Sequence, residues 1–143
     1  MLEFIVEGTP RSLQAEAPGR KAWMERVRAA ARVATNDGEL RIEYVDVAIR
    51  ILHFCFDWGD NDGDLDNIAK PILDAMCLTA IFNDNQAREI VLRRTDLERN
   101  QVTQIERATP LLADRLDAAL SGRMRVGFVY ISVETQIEYG SLP

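Results

Sequence analysis

Seven aspartates crowd into residues 57–86 (Asp57, Asp60, Asp62, Asp64, Asp66, Asp74 and Asp84), and Lys70 is the one base among them. Asp64 and Asp66 stand two residues apart at the start of a segment with helical spacing, where two carboxylates can converge on one hard cation. Mg²⁺ takes oxygen ligands in an octahedron and keeps several waters, so two or three carboxylates suffice. Asp66, Lys70 and Asp74 are spaced by four and share one face of a continuous helix. A lysine there can hold a phosphate oxygen beside the ion, or offset negative charge as it develops in phosphoryl chemistry. Asp84, within Asn83-Asp84-Asn85-Gln86, is placed to return a third carboxylate from the loop before the next strand. Carboxylates this crowded raise one another's pKa unless a cation or hydrogen bonds intervene, which marks the segment as a candidate metal site. The competing reading is a solvated acidic loop with Asp66 as a helix cap. It leaves the lone lysine and the second acidic loop unexplained.

Other chemistries fit less well. Asp60-Asn61-Asp62-Gly63-Asp64 looks like part of a calcium loop. Placing Gly63 at loop position six, however, puts Trp58 and Ala69 at the two end positions that need carboxylates. A sugar-transferase Asp-x-Asp site needs a nucleotide-sugar domain for which this chain has little room, and neither alternative uses Lys70. His53 is the sole histidine, which excludes a multi-histidine centre, and nothing near it forms a Ser-His-Asp triad. With Cys55 and Asp57 it shares a strand face that could take a soft metal, although residues of one strand face line up by default. There is no Gly-x₄-Gly-Lys phosphate loop, so a nucleotide cofactor is not expected. Trp23, Phe54, Phe56 and Trp58 could stack on bases, but their apolar spacing favours core or dimer-interface roles.

These residues need elements to position them. Leu2–Glu7 alternates and reads as a strand ending at Gly8-Thr9-Pro10, and Arg11–Gly19 reads as a loop. Arg20–Thr35 has helical spacing at Trp23, Val27, Ala30, Ala31 and Ala34, with arginines on the other face. Asn36-Asp37-Gly38 breaks the chain. Residues 41–57 form one long strand, bulged near Tyr44-Val45. Leu65–Cys77 is a helix in which Pro71 kinks the axis or marks the first turn. Ala87–Thr95 is a strand flanked by Arg93 and Arg94. Leu97–Ala108 is polar and carries no clear element. Thr109-Pro110 opens a helix that closes at Gly122, with an N-cap, a proline at the first position and a terminating glycine. Arg125–Glu134 is a last strand, and the final nine residues read as a tail. No repeat or linker divides the chain, so residues 1–143 are expected to form a single α+β domain. About four strands in a mixed sheet would pack with two to three helices.

With 143 residues, 47% apolar and 28% charged, the chain has an ordinary globular balance. No apolar run approaches the roughly 20 residues of a membrane span. Two cysteines suit a reducing cytosol. The net charge of −6 argues at first against nucleic acid, but all of it sits in residues 57–86. The remainder is neutral, and residues 11–32 carry a local excess of base. Arg20, Lys21, Arg26, Arg28, Arg32, Arg93 and Arg94 are candidates for phosphate contacts.

At Asp64-x-Asp66-Asn67, Lys70, Asp74 and the Asp84-x-Gln86 turn the sequence resembles the RusA-like family of Holliday-junction resolvases. The signature covers residues 64–86, and the early Gly8–Pro10 agrees more loosely. Asn83 stands where the family has the first of two aspartates, and the helix near 109–121 exceeds what a minimal member needs. The resemblance implies a cytoplasmic, bacterial or phage-encoded homodimer that hydrolyses DNA phosphodiesters at four-way junctions or other branched DNA, in recombination and repair. It implies Asp64, Asp66 and Asp84 as ligands of Mg²⁺, for which Mn²⁺ can substitute, and Lys70 as the stabiliser of developing charge. Asp74 and Asn67 then orient these groups. The alternative is a member that keeps the fold as a nucleic-acid- or protein-binding module without turnover, which Asn83 and the acidic loop motivate.

Overall fold

A computed structural model of the protein describes residues 1–11, 15–36, 45–56, 64–81, 83–98 and 108–135. In chain order the elements are β1 (Leu2–Glu7), α1 (Ala17–Ala34), β2 (Val47–Cys55), α2 (Leu65–Met76), a 3₁₀ turn at Asp84–Gln86, β3 (Ala87–Asp96), α3 (Pro110–Leu120) and β4 (Phe128–Thr135). The strands form one four-stranded sheet in the order β1-β4-β2-β3. β4 runs antiparallel to both neighbours, whereas β2 and β3 are parallel. A parallel pair needs a crossover, and α2 supplies it. The α+β class and the mixed sheet are as the sequence predicts.

Alternation sorts the strands into two faces. Leu2, Phe4, Val6, Val47, Ile49, Ile51, Val129, Ile131 and Val133 form one core with Trp23, Val27 and Ala31 of α1 and with Ile72, Ala75 and Met76 of α2. On the other face Leu52, Phe54, Phe128 and Tyr130 pack against Leu112, Leu116 and Ala119 of α3. Trp23 and Phe54 are thus core residues; Phe54 stacks on Phe128 with centroids 4.9 Å apart. α3 is anchored by the buried Arg115, whose guanidinium donates to both Glu7 oxygens at 2.8 and 2.6 Å and lies over Phe128. Thr109 caps α3 as expected, accepting from the Leu112 amide while its hydroxyl donates to Glu3.

Several boundaries differ from the periodicity, each for a local reason. α1 starts at Ala17 rather than Arg20 because Pro18 falls in the first turn, where a missing N–H breaks no helical bond. β4 starts at Phe128 rather than Arg125, since the turn before it stays exposed through Val126. The sheet irregularity falls between Val47 and Ala48 against β3; Tyr44, where the bulge was expected, lies outside the described residues, as do the loop 57–63 and the tail from 136. Pro71 sits inside α2, not at its start. No helix among the described residues is long and apolar enough to cross a membrane.

Candidate active site

The β2–α2–β3 crossover gathers the site. Asp64 is the extended N-cap residue of α2 and Asp66 lies in its first turn. Both are exposed, and among the described residues no base pairs with either. The positive end of the helix favours their negative charge. Asp64 caps through its backbone, its carbonyl accepting from the amides of Asn67 and Ile68 at 3.0 and 3.1 Å, so its carboxylate stays uncommitted. Half-buried Asn67 stands four residues before Pro71, and Pro71 has no N–H to offer its carbonyl.

One turn further, the Lys70 ammonium donates to Asp74 Oδ1 at 2.9 Å and to Asp84 Oδ2 at 2.5 Å. The first contact is the helical i, i+4 neighbour that the spacing predicts. The second spans the crossover and ties α2 to the loop before β3. Hydrogen bonds from Asp84 first, and then Asp74, raise the Lys70 pKa above its usual value. Lys70 is therefore a fixed cation flanked by carboxylates. An ammonium has three donors, and these contacts use two.

Asp84 is held by a turn of its own. Asn83 Oδ1 accepts from the Asn85 amide at 3.1 Å, while Gln86 Oε1 accepts from the Asn83 amide at 3.0 Å. This reciprocal capping box fixes the 3₁₀ turn in which Asp84 is the first residue. Gln86 is buried and its amide also donates to the Val45 carbonyl at 2.9 Å, pinning the turn to the chain entering β2. Asn83 and Gln86 are thus positioning residues; Asn-x-x-Gln ahead of a strand is the signal in the sequence that would have found them. Burial pushes the neighbouring Cys77 thiol up, and the Asp84 carboxylate adds to it.

The aspartates are not all convergent. Asp84 sits with Lys70 and Asp74, and among the described residues no group of three acidic, histidine or cysteine side chains is close enough to hold an ion. Asp57, Asp60 and Asp62 lie outside the described residues. In donor chemistry the set does fit a hard divalent cation: Asp64 and Asp66 are oxygen-only, exposed and unpaired, and Mg²⁺ keeps several waters.

The basic candidates are spread over two elements. On α1, Lys21, Arg26 and Arg32 are exposed and Arg20 is half-buried. Arg28 is paired with Glu25 at 2.7 Å. The Arg26 guanidinium closes over Gly8, whose φ of +111° and lack of a side chain permit the approach. On β3, Arg93 is exposed, whereas Arg94 donates from Nε to His53 Nδ1 at 3.2 Å. His53 is fully buried, and burial, then the Arg94 charge, push its pKa down to about 4. A ring nitrogen facing a guanidinium is the reverse of a metal ligand, and Cys55 instead donates to the Thr95 carbonyl. Asp57, the third member of that candidate group, lies outside the described residues.

No curated protein gives a significant match to the sequence. A family model does: Endodeoxyribonuclease RusA matches residues 12–106. That stretch is about two thirds of the chain and contains α1, β2, α2 and β3, with all of Asp64, Asp66, Lys70, Asp74 and Asp84. It leaves β1, α3 and β4 outside. On a match of this extent, laid over the crossover that carries the aspartates and their lysine, the chain belongs to the RusA endodeoxyribonuclease family.

Proposed function

We propose that the protein is a Mg²⁺-dependent endonuclease that hydrolyses DNA phosphodiesters at Holliday junctions or other branched DNA, acting as a homodimer in the cytoplasm of a bacterial or phage-infected cell. The observation that carries this reading is Lys70 clamped between Asp74 and Asp84, one helical turn from two unpaired carboxylates, inside the family match. Asp64 and Asp66 would hold the ion, with Asp84 joining them when its bond to Lys70 loosens. Bound there, Mg²⁺ would supply Lewis-acid stabilisation of phosphoryl oxygens and a water of lowered pKa. Lys70 has one uncommitted N–H to donate to a non-bridging oxygen of the scissile phosphate, and Asp74 keeps the ammonium oriented toward it. α1 would meet flanking phosphates through Arg20, Lys21, Arg26 and Arg32, with Arg28, Arg93 and Arg94 contributing where their present contacts release them.

A binding module without turnover is the competing class. Asn83 no longer speaks for it, because that side chain serves the turn that holds Asp84. The test is incubation of pure protein with labelled four-way, Y-shaped and linear DNA in Mg²⁺, Mn²⁺ or EDTA. Nicking of the branched substrates is expected only with divalent ion. Asp66→Asn and Lys70→Met are each expected to slow it by about 100-fold or more, the scale of losing one transition-state contact. No nicking of any substrate would overturn the enzyme reading, and nicking that survives Asp66→Asn would overturn the site.

A further inference from the structure

β3 is the edge of the sheet next to β2, and it runs for ten residues, well beyond the common strand length of about 5–6. Its first half is covered on neither face. Ile90, on the α1/α2 side, is 41% exposed and Val91, on the opposite side, is 39% exposed. Arg88 and Glu89 before them are exposed as well. A long edge with apolar residues outward on both faces is a template for another strand unless it is bulged, shortened or blocked by proline, and the outer edge of β3 carries none of these. We infer that β3 is the dimer interface: it pairs antiparallel with β3 of a second copy, joining two sheets into one of eight strands.

The occupant is read from charge. In the register with Val91 on the two-fold axis, Glu89 of each copy stands opposite Arg93 of the other, on the same face as Val91. Both residues are exposed, and among the described residues neither has a partner of its own. Two opposite-charge pairs and a central valine pair then line one face, and Ile90 meets Leu92 on the other. Cross-strand pairs of this kind stabilise an antiparallel ladder, and an isologous interface repeats each of them. Arg88 and Arg94 face each other across this register, but each is already engaged within its own copy, Arg88 by Asp46 and Arg94 by His53. A sheet edge alone would accept any strand; the Glu89–Arg93 complementarity specifies this one. The arrangement also sets the two sites apart. Each Asp84 turn leads directly into Ala87, and the two Ala87 residues fall eight positions apart along the shared edge, about 27 Å at roughly 3.4 Å per residue.

Charge exchange tests it. The wild-type protein is expected at twice its 16.2 kDa chain mass in light scattering. Glu89→Arg or Arg93→Glu alone should weaken the dimer by at least tenfold, because each sets like charges opposite on both sides of the axis. Mixing the two single variants should restore a heterodimer, with both pairs attractive again, and this arm also shows that the variants fold. A monomeric wild type, single variants that dimerise as tightly as wild type, or a mixture that stays monomeric would each overturn the inference. The result is independent of the nuclease reading: a dimer that never nicks DNA overturns only the activity, and a monomer that nicks overturns only the interface.

Discussion

Asn83 is the residue whose meaning changes most between sequence and structure. Beside a family pattern it reads as a lost carboxylate; in the fold it is the cap of the turn that presents Asp84 to Lys70. Asp and Asn cap about equally well, so Asn83→Asp should leave both stability and nicking near wild type. Asn83→Ala removes the cap at a cost of about 1 kcal/mol and, by loosening Asp84, should lower the nicking rate about tenfold; urea unfolding and the junction assay read the two effects separately. The aspartates, Lys70 and their spacing were legible because helical periodicity is local. That Lys70 reaches across to Asp84 was not, since it depends on where the crossover returns. His53 was illegible for the same reason: only the β2–β3 register brings Arg94 to its ring. Its consequence is a pH dependence. The folded pKa of about 4 lies below the 6.5 of an unperturbed histidine, so between those values the unfolded chain binds the extra proton. Stability is therefore fully present above about pH 6.5, falls as the pH drops toward 4, and levels off below. The loss is on the order of 3 kcal/mol for a shift of this size. Denaturation of wild type and His53→Gln from pH 4 to 7 should show that slope in the wild type and a shallower one in the variant.

At the scale of elements, α3 was the most readable helix because its signals are chemical punctuation: Thr109 as cap, Pro110 next, Gly122 after the end, and the structure uses all three. Its weight in the fold was not readable, because Arg115 falls at a position where a helix pattern anticipates an apolar side chain. Sixfold alternation found β1, yet nothing in the composition of β3 reveals that its first half faces solvent on both sides. That follows from its being last in the sheet order. The exit of α2 shows a similar gap. After Met76 the chain turns through Leu78, a non-glycine residue at φ +63° whose side chain is 72% exposed. The left-handed region costs an L-residue roughly 1–2 kcal/mol, and this side chain recovers little by burial. Leu78→Gly should therefore stabilise the protein by about 0.5–1 kcal/mol, after the added chain entropy of glycine. A lower denaturation midpoint for that variant would show that Leu78 holds the turn to Asp84 by contacts that outweigh its strain.

For the whole molecule the issue is how a chain of net charge −6 binds a polyanion. Lys70 is shared between carboxylates and Arg28 is paired, so Arg20, Lys21, Arg26 and Arg32 of α1 are the cations most available to phosphate. Four phosphate contacts per protomer give a slope of log affinity against log salt of about −3 to −4 on duplex arms. The exposed carboxylates of Asp64 and Asp66 act against that attraction until a divalent ion offsets them. Mg²⁺ normally weakens a protein–DNA complex by competing for the phosphates as a counterion; here its effect at low millimolar concentration should have the opposite sign. Junction binding by the Lys70→Met variant, slow to hydrolyse but with Asp64 and Asp66 intact, should tighten severalfold from EDTA to Mg²⁺. In the Asp64→Asn/Asp66→Asn double variant the same titration should weaken binding, because the repulsion has gone and only counterion competition is left. Removing Lys21 should shorten the salt slope by about 0.9 without altering the sign of the Mg²⁺ effect, since the phosphate-facing helix and the acidic turn act on the DNA independently. A salt slope near zero would place the DNA on some surface other than α1.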